Sequence, residues 1–69
     1  MTGRDIVKLM NADYRVFRLR EQDKSIWESN IIPNVGNQVS WKLHMRFETQ
    51  KAAKDAFQNL MSSEKFIEG

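Results

Sequence analysis

The stretch Val39 to Met61, VSWKLHMRFETQKAAKDAFQNLM, constrains the fold more than any other part of the chain. From Val39 to Phe47 apolar and polar residues alternate. Val39, Trp41, Leu43, Met45 and Phe47 fall on one side, and Ser40, Lys42, His44, Arg46 and then Glu48 on the other. A period of two marks a half-buried strand in an antiparallel sheet. At Thr49 the period becomes helical: Ala52, Ala53, Ala56, Phe57, Leu60 and Met61 form one stripe, and a threonine hydroxyl suits the N-cap.

The residues before this stretch supply the remaining elements. TGRDIVKLMNAD offers Thr2 as an N-cap with Asp5 three residues on, a capping-box arrangement, and puts Ile6, Leu9 and Met10 on one helical face. That helix ends near Asn11 or Asp13. YRVFRLRE reads as a strand with Phe17 and Leu19 on one face and Tyr14, Val16, Arg18 and Arg20 on the other. Arg15 falls on the Phe17 face, which allows a bulge there. After the turn QDK, SIWESNII sets Trp27, Ser29 and Ile31 against Ile26, Glu28, Asn30 and Ile32. PNVGNQ closes the strand, because Pro33 discourages pairing and Gly36 can take positive φ. SSEKFIEG is read as a last helical turn restarted by Ser62 or Ser63, with Phe66 and Ile67 folding back on the core.

The order α-β-β-β-α predicts an α+β fold, a three-stranded antiparallel meander with both helices packed on one face. The expected core is Ile6, Leu9, Met10, Phe17, Leu19, Trp27, Ile31, Trp41, Leu43, Met45, Phe47, Ala53, Phe57 and Leu60. The chain has 69 residues, which fits a single domain over 1–69. A chain of this size buries only about 60% of its unfolded surface, so its core must be efficient. Composition, 41% hydrophobic and 29% charged, belongs to a folded chain and not a disordered one. There is no cysteine, hence no disulfide framework or thiolate zinc site, and no run of the ~20 apolar residues a membrane span needs. A cytoplasmic protein without membrane contact is expected.

The sequence predicts no enzyme. His44 is the one histidine, cysteine is absent, and NVGN lacks the lysine and flanking glycines of a phosphate loop. No catalytic residue, metal site, cofactor or small-molecule substrate is expected. Surface chemistry is more informative. Net charge is only +2, so any electrostatic attraction must be local. On the predicted outer sheet face Arg18 and Arg20 stand with Glu28 and Asn30 and with Lys42, His44 and Arg46. Tyr14, Val16, Ile26 and Ile32 are interspersed. Such a face suits a nucleic-acid backbone, a protein partner, or plain solvent with long cationic side chains lying over apolar neighbours. A second basic site is TQKAAK, where Lys51 and Lys54 flank free backbone N–H groups at a helix start. An i, i+4 pair between Lys51 and Asp55 is the plainer expectation for that surface.

The element order and the stretch TQKAAKDAF together resemble the double-stranded-RNA-binding domain. Thr49, Lys51, Ala53 and Lys54 match that family's lysine-rich start of the last helix, which implies contact with RNA phosphates. Gln50 stands where a further lysine is expected, and the family's glycines before the motif and its Gly-Pro-His loop are missing. TGRDIVKLM followed by YRVFRLR also looks like the opening of HicA-type toxins. Their Gly-Ser-His catalytic segment is replaced here by EQDKSIW, so their activity is not carried over.

Two functions follow as expectations. The first is a small non-enzymatic module binding nucleic acid, with RNA or a duplex preferred, through Lys51 and Lys54 with Lys42, His44, Arg46, Arg18 and Arg20. The alternative is a protein-interaction module, or a small regulator or inhibitor of the kind mobile elements encode, using Tyr14, Val16, Ile26 and Ile32 or a strand edge, homodimerisation included.

Overall fold

A computed structural model describes residues 1–33 and 38–69. The expected turn at Gly36 lies outside the described residues. The chain is of α+β class: α1 (Gly3–Asn11), β1 (Arg15–Arg20), a 3-10 turn (Glu21–Asp23), β2 (Ser25–Ile31), β3 (Val39–Arg46), α2 (Gln50–Leu60) and β4 (Phe66–Glu68). Both helices start as their sequences predict. The Thr2 hydroxyl accepts from Asp5 N–H while the Asp5 carboxylate accepts from Thr2 N–H, and Thr49 accepts from Ala52 N–H.

The meander is present. β1 pairs antiparallel with β2, and β2 antiparallel with β3. The tail differs from expectation. Residues after Ser63 form β4, parallel to β1, giving a mixed four-stranded sheet in the order β3-β2-β1-β4. Alternation fits this: Phe66 and Ile67 are adjacent, and as a strand they send one side chain to each face, Phe66 to the side of Phe17 and Ile67 to the side of Val16.

The helices lie on opposite faces of the sheet, not on one. Cross-strand partners point to the same side, so Phe17 shares a face with Glu28, and Leu19 with Ile26. α2 covers this face: Phe17, Ile26 and Phe57 form the buried cluster, with Leu19, Phe47, Ala56, Leu60, Met61 and Phe66 around it. Burying each large side chain contributes about 1.5–3 kcal/mol. The opposite face carries Val16 and Ser29, and Met10 of α1 approaches it, its Sδ 3.4 Å from the Ser29 hydroxyl. Strand β2 is therefore one position out of phase with the sequence reading, which set Trp27, Ser29 and Ile31 beside Phe17. Both alternate sets of β2 contain apolar residues, so its pattern alone did not distinguish them.

A β-bulge resolves the apparent continuity of Val39 to Phe47. Trp27 opposes Leu43 and Ile26 opposes Met45, leaving His44 as the extra residue on β3. A bulge shifts the phase of alternation by one. Trp41 and Leu43 thus stay on the α1 side, while Met45 and Phe47 turn toward α2. The bulge falls here and not at Arg15.

Candidate functional site: an arginine and tryptophan face

α1 has nine residues, about 13 Å of helix, against a sheet whose eight-residue β3 runs about 27 Å. It covers the Val16 and Ser29 end and leaves the far half of that face open. There Arg18, Arg20, Trp27 and Trp41 line a groove of about 310 Å³. The Arg18 guanidinium lies 4.1 Å from the Trp41 ring centre and that of Arg20 5.6 Å from Trp27. The Trp27 indole N–H donates to the buried Ser25 hydroxyl at 2.8 Å, which fixes the ring on the sheet. Leu43 extends the surface and is 39% exposed. Arg46, paired in register with Ser25, adds a third cation on this side.

Charge is segregated between the faces. Glu28 and Glu68 are register partners of Phe17 and so belong to the α2 side. Near the open face the acid in contact is Asp23, 2.8 Å from Arg20 in an exposed i, i+3 pair. Such pairs are worth at most about 1 kcal/mol. Arg18 also donates to the Gly69 carbonyl at 3.3 Å, which holds the side chain across the sheet.

The residues expected to form one outer face are therefore divided. Arg18, Arg20 and Arg46 lie on the open face. Lys42, which opposes Glu28, and His44, whose ring meets Phe17 edge-on at 5.2 Å between centres, lie on the α2 side. Glu28 is held below the usual carboxylate range chiefly by hydrogen bonds from Arg15, with the nearby charges adding to the effect. Val16 and Ile26 are 0% and 2% exposed, so neither stands on an outer face as the sequence reading placed them. Ile32 and Tyr14 are half-buried, and the Lys65 ammonium sits 4.4 Å from the Tyr14 ring centre. At α2, Lys51 pairs with Asp55 at 2.9 Å, as its spacing predicts, and Lys54 with Glu21 at 3.5 Å.

Trp27, Trp41 and Leu43 were expected in the core and instead belong to the site. Ser25 and Ser29 alternate with Trp27, and a row of small polar residues with one aromatic is a pattern that marks a surface as readily as a core. Among the described residues no three of His, Cys, Asp or Glu gather as metal ligands, and no helix is long and apolar enough to cross a membrane. No protein-family model, curated protein or solved structure matches this chain.

Proposed function

We propose that this chain is a small non-enzymatic nucleic-acid-binding module acting through the open sheet face. The observation that carries the reading is the pair of arginine and tryptophan stacks, Arg18 with Trp41 and Arg20 with Trp27, beside Arg46. Guanidinium groups contact phosphates, and indoles give bases a surface on which to stack. Base stacking needs unpaired nucleotides, so this face favours a single-stranded segment over the duplex that Lys51 and Lys54 would approach. The likeness to an RNA-binding family favours RNA over DNA. Absence of cysteine suits work in the reducing cytoplasm.

Titration of labelled single-stranded RNA, single-stranded DNA and duplex RNA at two salt concentrations tests this. Single strands should bind most tightly and quench tryptophan fluorescence. With three arginines on phosphates, log K should fall against log salt with a slope of about −2, at roughly 0.7 per contact. Arg18→Ala with Arg20→Ala should weaken binding, and Lys51→Ala with Lys54→Ala should leave it nearly unchanged. Absence of binding at low salt, or the reverse order of variants, rejects this face.

A further inference from the structure

A second surface, separate from the arginine and tryptophan face, lies where β3 runs along α2. β3 is an edge strand, and among the described residues nothing pairs with its outer side. The Ile32 N–H donates to the Gln38 carbonyl, so that pair bonds inward. By antiparallel alternation the pairs Asn30 with Ser40 and Glu28 with Lys42 also bond inward. Val39, Trp41 and Leu43 consequently turn their N–H and C=O groups outward. Beside this edge, Ile26, Met45, Phe47, Ala56 and Leu60 line an apolar groove of about 360 Å³, with Asn59 and His44 at its rim. Met45 is 50% exposed.

We propose that this edge and groove dock an extended peptide of another protein, which adds a strand to β3 and drops an apolar side chain between β3 and α2. An open strand edge gives main-chain hydrogen bonds, and a pocket alongside it selects the side chain. Charge selects the partner. β3 carries Lys42 on one face and Arg46 on the other with no carboxylate between Val39 and Arg46, so the docking segment bears Asp or Glu around its apolar residue. The same charges disfavour a second copy of this chain: two-fold pairing centred on His44 would set Lys42 of one protomer opposite Arg46 of its partner. Lys42 and the bulge at His44 also discourage indiscriminate edge pairing, leaving an edge open chiefly to acidic strands.

The test uses labelled synthetic peptides alternating Ile, Val or Leu with Asp or Glu, read by fluorescence anisotropy, with lysine-substituted peptides as controls. Acidic peptides should bind in the micromolar range and slow hydrogen exchange at the Trp41 and Leu43 amides. N-methylation of one alternate set of peptide amides should weaken binding by roughly tenfold or more, and of the other set far less. Asn59→Glu, which sets a carboxylate at the rim of the groove from an exposed position and repels an acidic segment, should weaken it too. Four results would overturn the proposal: no binding by any acidic peptide; binding indifferent to N-methylation; binding lost in Arg18→Ala with Arg20→Ala but kept in Asn59→Glu; or a dimer that protects the β3 amides without peptide.

Discussion

The guanidinium of Arg18 lies 4.1 Å from the centre of the Trp41 ring, joining β1 to β3 across the intervening β2. A cation over an indole that is only partly buried, as Trp41 is, contributes about 0.5–1 kcal/mol. Arg18→Ala should therefore cost no more than about 1 kcal/mol in urea unfolding. The same substitution should flatten the salt dependence of single-strand binding by about 0.7 in log–log slope. A large loss of stability with an unchanged slope would make Arg18 a structural residue only.

Phe57 and Leu43 separate the true core from the residues that alternation alone placed in it. Phe57 is buried in the cluster with Phe17 and Ile26. Phe57→Ala should cost about 3–5 kcal/mol. Loss on that scale is comparable with the low end of the ~5–15 kcal/mol that holds a whole domain folded. Leu43→Ser, on the open face, should stay within about 1 kcal/mol. Circular dichroism melts of the two variants check both, and a Leu43→Ser protein as unstable as Phe57→Ala would contradict the bulge.

Arg15 grips Glu28 with two hydrogen bonds, Nε to Oε2 at 2.8 Å and Nη2 to Oε1 at 2.9 Å. The Glu28 carboxyl is thereby held below its ordinary range, so folding favours its ionised form. A depressed folded value means that this stabilisation is complete above the unfolded pKa and is lost as pH falls through the folded one. Glu28→Gln should be less stable than the parent at neutral pH by up to about 1 kcal/mol. The gap should close below the ordinary carboxylate range. Denaturant midpoints from neutral to strongly acid pH measure it; a gap constant with pH would deny the linkage.

Thr2 and Asp5 cap α1 reciprocally, and Asp5 is held below its usual range first by the Thr2 backbone N–H and then by its hydroxyl. Thr2→Ala should cost about 1 kcal/mol. Adding Asp5→Ala to it should cost less than the two separate losses summed, because the groups act on each other. Melts of the two single variants and the double variant decide this, and strict additivity would mean that the box is not cooperative.

Much of the fold was legible because several local signals agreed: caps at Thr2 and Thr49, the period change at Thr49, and the aromatic and branched residues of β1. Phase was less legible. In β2 both alternate sets contain large apolar residues, Trp27 and Ile31 on one side and Ile26 on the other. In β3 a bulge reverses the sides midway while the sequence continues to alternate. A single slipped residue exchanges every side chain between faces. This is why Arg18, Arg20 and Arg46 were legible as candidates while the tryptophans beside them were assigned to the interior. β4 was hidden for another reason: its three residues are too few to show a period, and its partner lies far away in the chain.

That distance has a kinetic consequence. Arg18 and Gly69, which meet across the β1–β4 end of the sheet, are 51 positions apart. The β1–β2 and β2–β3 hairpins can close locally, whereas the parallel pair must wait for most of the chain to be in place, and long closures are slow. During synthesis β1 therefore has one bare margin until Phe66–Glu68 emerge. Pairing with β4 covers that margin of β1, and slowing translation just before Phe66 would lengthen the interval in which a nascent chain can pair there with a neighbour.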